Sequence, residues 1–306
     1  MDLAIRTRAL RKRYGRHTAL HGLDLNVAPG SVFGLIGPNG AGKTTTLRML
    51  LDIIRPTSGE VTVLGESPRS GGPALRRRIG YLPGELRLGG RITGRALLRQ
   101  LAEISGAVPA GAIDGLAERL ALDLARPVRA LSKGNRQKLG LVQAFMHRPA
   151  LLVLDEPTSG LDPLMQREFL AMVREARDAG QTVLLSSHVL SEIQQAADDV
   201  AVLADGRIVA EGTIDALRLA SVRRIRAALT DTTAEAVTAA MSPVDGLDDL
   251  TVEAAGDLVR VSATARGEID PVIRAIGTGT IRDLTVEEPD LEESVLALYA
   301  RQVDLA

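Results

Sequence analysis

The sequence predicts an α/β fold built on a parallel β-sheet, followed by a smaller α+β domain. Continuous apolar runs predict buried strands, and these runs lie at 31–36, 151–156, 182–187 and 200–204. Helical segments separate the runs, and strands that alternate with helices are typical of a parallel sheet covered on both faces. From about residue 221 the apolar runs become short and alternate with polar residues, which is typical of antiparallel strands. We therefore predict one domain over 1–220 and a second over 221–306.

The elements of the first domain follow in order. A helix is predicted through TTTLRMLLDII at 44–54, and Pro56 ends it. Residues 74–82 and 87–149 are predicted to be mainly helical and irregular, and the second of these ranges forms a helical subdomain. A further helix opens at Asp162-Pro163, where Asp is a good N-cap and Pro suits the first helical position. The last helix begins at 189.

The second domain is predicted to have the order β-α-β-β-α-β, that is, a ferredoxin-like arrangement. The elements are RRIRAAL, a helix through TTAEAVTAAM, the hairpin strands LTVEA and LVRVSA around Gly256-Asp257, a helix near 268–276 and the strand TIRDLTVEE. The tail PDLEESVLALYA has Asp290 as N-cap and Glu293 three residues later, with an apolar stripe. It is predicted to be an amphipathic helix with a docking role.

Composition excludes several classes of protein. The chain has 306 residues, of which 45% are hydrophobic and 25% charged, as in an ordinary folded protein. It contains no cysteine, which excludes disulfides and thiolate metal sites. The N-terminus lacks the apolar stretch of a secretory signal. The longest apolar-leaning run, 139–157, is interrupted by polar residues and predicts no membrane-spanning helix, so any membrane role is expected to be peripheral.

Charge is distributed unequally between the two predicted domains. Residues 221–306 contain eight arginines and sixteen acidic residues, a net −8, so that +7 remains for 1–220 in a chain of net charge −1. A basic half could attract nucleic acid or anionic lipid, but a polyphosphate ligand needs the same charge. We favour a polyphosphate ligand and expect no nucleic-acid partner.

A glycine-rich loop is the strongest chemical signal. GPNGAGKTTT at 37–46 fits the pattern G-x-x-x-x-G-K-[ST] between a predicted strand and a predicted helix. Its glycines allow backbone N–H groups to close on phosphate oxygens, and the helix N-terminus favours negative charge. Lys43 is expected to reach the β and γ phosphates, and Thr44 to offer a hydroxyl to Mg²⁺. The alternative is a glycine-rich turn with a surface lysine, and the flanking strand and helix argue against it.

Two carboxylates at the end of a buried strand complete the predicted catalytic site. In LLVLDEP, Asp155 is placed to hold the metal ion, and Glu156 would lie near the γ phosphate, where it could polarise an attacking water. The alternative is a pair of strand-end carboxylates that face solvent. The four apolar residues before them, together with the glycine-rich loop, favour the catalytic interpretation.

The ordered set of motifs resembles a known family. The chain lacks the N-K-x-D guanine signature, and over roughly residues 3–218 it resembles a nucleotide-binding subunit of an ATP-binding cassette (ABC) transporter, a P-loop NTPase fold. The matching features in order are Tyr14, GPNGAGKTT, LSKGN at 131–135, LLVLDEP, SGLD at 159–162 and His188. The resemblance implies an ATPase that uses ATP and Mg²⁺.

The resemblance also implies a shared active site. Two such domains pair head to tail, so that Ser132 and Gly134 of one copy would contact the γ phosphate of the ATP held by the other copy. Ser132 also fits a plain helix N-cap. Tyr14 would stack on adenine, His188 would contact the γ phosphate, and Asp162 would communicate across the dimer. Apart from the motif set, Tyr14 is an ordinary surface aromatic and His188 an ordinary strand-end histidine.

The implied site therefore has three groups of residues. The catalytic residues are Glu156, His188 and Lys43, and the metal ligands are Thr44 and Asp155. The nucleotide-binding residues are Tyr14, Gly37, Asn39, Gly40, Gly42, Lys43, Thr44, Thr45, Ser132, Gly134 and Asp162.

The chain departs from the family pattern at two places. In the LSGGQ-like motif, Lys133 replaces a glycine and Asn135 a glutamine. After Tyr-x-Pro, where the family has a glutamine that touches Mg²⁺ and the attacking water, this chain has Gly84 and then Glu85. Three alternatives remain: Glu85 substitutes for the glutamine, the metal relies on Thr44 and Asp155 alone, or turnover is slow.

The group within the family is indicated by weaker features. The chain resembles ATPase subunits of bacterial drug and antibiotic exporters in three features. It has one ATP-binding domain, Gln137 after the LSKGN motif, and a small C-terminal domain. This implies a homodimer bound peripherally at the cytoplasmic face of the membrane, with a separate integral-membrane permease that determines the substrate. The alternatives are a non-transport ATPase of the same fold and a regulatory module that binds ATP without hydrolysing it.

Overall fold

The computed structural model describes residues 3–86, 89–214, 216, 223–266 and 268–287, except the side chains of Leu190 and Ser191. The chain forms two compact units, Met1–Gly212 and Thr213–Ala306. This division lies eight residues before the predicted boundary at 220, and most of the residues between the two positions lie outside the described ranges. The tail helix predicted from 289 also lies outside them.

The first unit contains the strands and helices that carry the predicted motifs. In chain order they are β1 Ile5–Tyr14, β2 His17–Val27, β3 Val32–Ile36, α1 Lys43–Leu50, β4 Ser58–Val63, α2 Pro68–Arg76, β5 Ile79–Leu82, α3 Gly94–Ser105, α4 Ala112–Arg119, α5 Lys133–Phe145, β6 Leu151–Asp155, α6 Pro163–Asp178, β7 Thr182–Ser187, α7 Leu190–Ala196, β8 Asp199–Ala204 and β9 Arg207–Thr213.

A six-stranded sheet in the order β5-β6-β7-β3-β8-β9 forms the centre of the first unit. The pairs β5/β6, β6/β7, β7/β3 and β3/β8 are parallel. All residues of β3, β6 and β7 are buried, as expected of strands covered on both faces. The predicted parallel sheet is confirmed.

Two sequence predictions in this unit are wrong. Residues 74–82 are predicted to be helical or irregular, but Ile79–Leu82 form strand β5, which pairs with β6. Four residues are too few to show the sequence pattern that marks a strand. These residues form a strand because they pair with β6. Helix α1 ends at Leu50, whereas the prediction extends to 54, because Asp52 adopts a left-handed φ of 56°.

The first unit also contains a three-stranded antiparallel sheet in the order β2-β1-β4. These three strands were not predicted from the sequence. Ile5 and Thr7 of β1 are buried, and the register shifts before the next buried residue, Leu10. Ala9 has a φ of 45° at this shift. The irregularity breaks the alternation of polarity that marks a strand in a sequence.

The second unit has a four-stranded antiparallel sheet in the order β11-β12-β10-β13. Its elements are β10 Arg223–Thr230, α8 Ala234–Met241, β11 Leu247–Ala255, β12 Leu258–Ala265, α9 Asp270–Ile276 and β13 Thr280–Glu287. The inward residues of the central strands, Ile225 and Val261 among them, pack with Val237 of α8 and Val272 of α9. The unit therefore has a core of its own.

None of the helices in the described ranges is both long enough and apolar enough to cross a membrane.

Candidate functional site

The carboxyl edge of the central sheet brings three predicted motifs together. Strands β6, β7 and β3 are consecutive and parallel, so the segments that follow them open on the same edge. The loop 37–42 follows β3, Glu156 follows β6, and His188 follows β7. The order of the strands therefore assembles side chains that are far apart in sequence.

The glycine-rich loop wraps around its own lysine. Lys43 is the first residue of α1, with 6% of its surface exposed. Its Nζ donates to the carbonyl of Gly37 at 2.6 Å and to that of Pro38 at 3.3 Å. Gly42, the N-cap of α1, has a φ of 108°, and a Cβ there would lie 2.7 Å from the side chain of Leu20. The loop thus places an ammonium group at a helix N-terminus, which suits an anion.

Asp155 is a buried carboxylate held by two hydroxyl groups. It is 1% exposed, its Oδ2 accepts from Thr44 Oγ1 at 2.8 Å, and its Oδ1 accepts from Ser186 Oγ at 2.6 Å. The predicted metal ligands Thr44 and Asp155 are therefore brought together. A hydroxyl and a carboxylate are hard oxygen donors of the kind that Mg²⁺ accepts beside phosphate and water ligands, so the residues present fit this ion.

Glu156 has an unusual backbone conformation, with a φ of 49°. Few residues other than glycine adopt this region, and such conformations are often found at functional sites. The Glu156 N–H donates to the carbonyl of Ser186 at 3.1 Å. The buried amide of Gln137 donates to the Glu156 carbonyl at 3.1 Å and to the Pro157 carbonyl at 2.9 Å. Neighbouring polar groups thus hold both sides of this strained residue.

The Glu156 carboxylate joins two of the other predicted catalytic residues. Its Oε1 lies 3.5 Å from Lys43 Nζ, and its Oε2 lies 2.6 Å from Nδ1 of His188. An ionised carboxylate can only accept, so Nδ1 carries the proton in this contact. The predicted catalytic residues Glu156, His188 and Lys43 therefore form one continuous polar chain.

A cleft of about 260 Å³ contains most of the predicted nucleotide-binding residues. Its lining residues are Tyr14, His17, Ala19, Pro38, Asn39, Gly40, Gly42, Lys43, Thr44, Thr45 and Glu156. Clefts of about 470 and 460 Å³ elsewhere in the first unit include none of the predicted site residues, so size alone does not mark the site. His17 and Ala19 were missed, because β2 was not predicted.

Tyr14 presents an aromatic ring at the rim of this cleft. It is 46% exposed, and Lys12 Nζ lies 4.9 Å from the ring centroid, a cation–π distance. Lys12 also donates to the carbonyl of Arg55 at 2.6 Å. One side of the Tyr14 ring therefore carries a fixed cation.

Ser132 and Gly134 do not line the cleft of their own chain. Ser132 is the N-cap of α5, and its Oγ accepts from the Asn135 N–H at 3.2 Å, which confirms the predicted cap. A Cβ at Gly134 would lie 2.7 Å from the carbonyl oxygen of Gly160. Lys133 donates to Ser159 Oγ at 3.1 Å. The start of α5 is thus packed against the loop 158–162.

Asp162 caps helix α6 as predicted, because its Oδ1 accepts from the Met165 N–H at 3.0 Å. Gly84 lies directly beside the Asp155 carboxylate, a predicted metal ligand, since a Cβ at this position would be 3.1 Å from Asp155 Oδ2. A side chain at residue 84 would therefore press on Asp155.

Several polar residues of the site were missed by the sequence predictions. Glu192 of α7 accepts from Thr158 Oγ1 at 2.6 Å and from Ser187 Oγ at 3.0 Å, both at its Oε2. Ser186, a partner of Asp155, is another. Ser186 and Ser187 end a predicted strand directly before His188, so the sequence could have indicated that they lie at the site. Nothing in the sequence alone indicates the partners of Glu192.

Comparisons with known proteins show the family that this chain resembles. A family model described as ABC transporter matches residues 20–159. The bacitracin transport ATP-binding protein BcrA of Bacillus licheniformis is 37% identical over 234 residues, which cover 76% of this chain and 76% of that protein. The daunorubicin resistance ATP-binding protein DrrA3 of Streptomyces coeruleorubidus is 38% identical over 308 residues, which cover 97% of this chain and 96% of that protein.

A solved structure described as the ATP binding subunit of an ABC transporter resembles this chain in fold. It has a TM-score of 0.66 and 30% identity, and the match covers 71% of this chain and 92% of that one.

Proposed function

Because the chain belongs to the ABC transporter family as an ATP-binding subunit, we propose that it powers the export of a small molecule through a separate membrane permease. Family membership makes the chain an ATPase. The observation that carries the proposed hydrolytic mechanism is the polar chain from Lys43 through Glu156 to His188, with contacts of 3.5 and 2.6 Å. Similarity to proteins of bacitracin transport and daunorubicin resistance supports export.

In the proposed reaction, Lys43 and the N-terminus of α1 bind the β and γ phosphates of ATP. The Glu156 carboxylate lies within 3.5 Å of the same ammonium group, so a water that it holds would face the γ phosphate. Glu156 orients this water for in-line attack on the γ phosphorus and accepts its proton, while the bond from that phosphorus to the β,γ-bridging oxygen breaks and ADP leaves. His188 donates to Glu156 and orients its carboxylate. Catalysis rests on positioning and on the cationic charge beside the phosphates.

Thr44 and Asp155 are the residues that would hold Mg²⁺. When bound, the ion neutralises phosphate charge and orients the phosphates. Ser186 keeps the Asp155 carboxylate in place through its 2.6 Å hydrogen bond. Gly84 has no side chain and supplies no ligand itself, and of the three alternatives we propose that the metal relies on Thr44 and Asp155 alone.

We propose that two copies pair head to tail, so that Ser132 and Gly134 of one copy contact the ATP of the other. Their position outside their own cleft supports this arrangement. The N-terminus of α5, a helix of 13 residues, would then add its dipole at the γ phosphate. Tyr14 stacks on adenine with the face that Lys12 does not cover, and Asp162 lies in the loop that communicates between copies.

Ser132→Arg tests the shared site. It should abolish cooperative turnover while the affinity of the single chain for ATP stays unchanged, because residue 132 does not line its own cleft. The steady-state ATPase rate, measured against protein concentration, is the readout. Ser70→Arg, which places the same charge at an exposed position on α2, is the control. Turnover of Ser132→Arg at the parent rate would exclude the shared site.

We propose that the first unit is the ABC ATP-binding domain, with its helical subdomain about 87–149, and that the second is a ferredoxin-like accessory domain. The antiparallel order β11-β12-β10-β13 supports this classification. The match to DrrA3 covers 97% of this chain, so a relative of similar length includes the second unit.

One experiment tests both the permease partner and the location of the subunit. We place the subunit peripherally at the cytoplasmic face of the membrane, where it binds an integral-membrane partner. Purification of the tagged chain from membranes, with ATPase assay in Mg²⁺, should yield a polytopic protein that stimulates turnover. Isolation of the active ATPase with no such protein, under conditions that preserve membrane complexes, would contradict the transport role.

A further inference from the structure

We propose that Glu192 is a positioning residue that holds Glu156 and His188 in their mutual geometry. The inference rests on the proposed function, since it concerns the same catalytic pair. Glu192 lies on helix α7, outside the motifs that identify the nucleotide site, and it does not line the cleft.

A single oxygen of Glu192 joins the loop after β6 to the end of β7, where the segment that carries His188 begins. Oε2 accepts from Thr158 Oγ1 at 2.6 Å and from Ser187 Oγ at 3.0 Å. Thr158 comes two residues after Glu156, and Ser187 comes directly before His188. Ser187 Oγ also accepts from the N–H of Val189 at 2.9 Å, on the far side of the histidine. The carboxylate therefore fastens the segment after β6 to the last residue of β7, from which the segment with His188 continues.

The burial of Glu192 argues that this connection is specific. The residue is 9% exposed, and its hydroxyl partners are buried as well. A buried carboxylate is costly unless its oxygens accept hydrogen bonds, and hydrogen bonds to an ionised group are stronger than neutral ones. The neighbouring Ile193 is fully buried, so α7 packs on the core without needing Glu192 for its apolar contact. What Glu192 adds is the link between the two loops.

The link controls a short contact. Glu156 and His188 meet at 2.6 Å, and they lie on the two loops that Glu192 joins. If the link is cut, each loop can shift independently, and Glu156 no longer faces the attack position. A misplacement of about 1 Å at a reacting group costs roughly 100-fold in rate. The effect should appear in kcat, because Lys43 and the glycine-rich loop bind ATP through other contacts.

Glu192→Ala and Glu192→Gln provide the first test. Glu192→Ala should lower kcat by about 10- to 100-fold while the KM for ATP changes by less than about threefold. Glu192→Gln keeps an acceptor oxygen and should restore most of the rate. Glu118→Ala, an exposed glutamate on helix α4, is the matched control and should keep the parent rate. If Glu192→Gln fails as badly as Glu192→Ala, or KM rises as much as kcat falls, the inference is wrong.

Coupling to His188 separates positioning from general structural support. If Glu192 acts through the Glu156–His188 pair, Glu192→Ala should cost much less kcat in a His188→Ala background than in the parent. Equal losses in the two backgrounds would overturn the inference.

Two further substitutions repeat the test if Glu192→Ala does not fold. Thr158→Val removes one hydrogen bond to Glu192, and Ser187→Ala removes the other together with the bond that Ser187 Oγ accepts from the Val189 N–H. The double variant Thr158→Val/Ser187→Ala should then lose kcat as Glu192→Ala is expected to, and a parent-like rate would overturn the inference. Glu156→Gln, measured in parallel, keeps the two hypotheses apart. Parent-like turnover by that variant would refute the proposed role of Glu156 as the base. Equal losses from Glu192→Ala in the parent and in the His188→Ala background, together with an inactive Glu156→Gln, would refute only the positioning role of Glu192.

Discussion

Nδ1 of His188 lies 2.6 Å from Oε2 of Glu156, although the two residues are 32 positions apart in the chain. The contact exists because β6 and β7 are parallel neighbours, with Asp155 and Ser186 in register at their ends. Glu156, one residue after Asp155, and His188, two residues after Ser186, therefore leave the sheet close together. The short contact also leaves Oε1 of Glu156 directed at Lys43, so one carboxylate serves two partners.

Glu156→Gln should stop turnover while leaving ATP binding intact. The amide has nearly the same shape but cannot accept a proton at neutral pH, so we expect a fall in kcat of about 10²- to 10⁴-fold. ATP affinity by fluorescence titration should stay within a few-fold of the parent value. His188→Ala should reduce kcat less, since it removes the orienting partner and not the base. Hydrolysis by Glu156→Gln at the parent rate would show that another group activates the water.

Lys43→Ala should weaken ATP binding itself. The ammonium group is buried in the loop, and a hydrogen bond to a charged partner is worth about 1.5–3 kcal/mol, or roughly 10- to 150-fold in affinity. Isothermal titration with ATP measures the change. Arg99→Ala removes one positive charge from an exposed position on α3 and should bind ATP as the parent does. Unchanged affinity in Lys43→Ala would contradict the assignment of the loop.

Gly134→Ala and Gly115→Ala should have opposite effects on stability. Both glycines lie in helices, but a Cβ at 134 would meet the backbone oxygen of Gly160 at 2.7 Å, whereas a Cβ at 115 meets nothing within 4 Å. Overpacking should lower the free energy of unfolding of Gly134→Ala by about 1–3 kcal/mol. Gly115→Ala should raise it by about 0.5–1 kcal/mol, because alanine favours the helix. Urea unfolding measures both changes. Equal effects of the two substitutions would mean that the contact with Gly160 is not tight.

His147 should make stability depend on pH. Burial lowers the pKa of its imidazole below the ordinary value of 6.5, and a contact with the backbone of Ile79 opposes this only in part. The unfolded chain then binds the proton more tightly than the folded chain. The free energy of unfolding should therefore be highest above about pH 6.5 and fall as the pH is lowered through and below that value.

His147→Leu should flatten this part of the profile, measured by urea unfolding between about pH 5 and 8. A profile with the same slope in His147→Leu would show that other groups cause the dependence.

Sequence patterns predicted the buried strands of the central sheet because each is long enough to show a continuous apolar run. They failed for β5, whose four residues are a strand through pairing with β6, and for β1, whose bulge at Ala9 breaks the alternation. The glycine-rich loop, Asp155 and the helix caps at Ser132 and Asp162 were all predicted, because their residue types act through local backbone geometry. The catalytic roles of Glu156 and His188 stay predictions until they are measured.

What the sequence determined by itself is the chemistry available: a glycine-rich loop with a lysine, two strand-end carboxylates, a histidine after a strand and a serine at a helix start. Local spacing is sufficient for these features, because a loop or a cap needs only its neighbours. Only the tertiary structure decided which groups meet, as when Glu192 joins Thr158 to Ser187 and when Gly134 approaches Gly160. Such contacts depend on strand order and on how helices pack, and no repeating pattern of residues in the sequence predicts them.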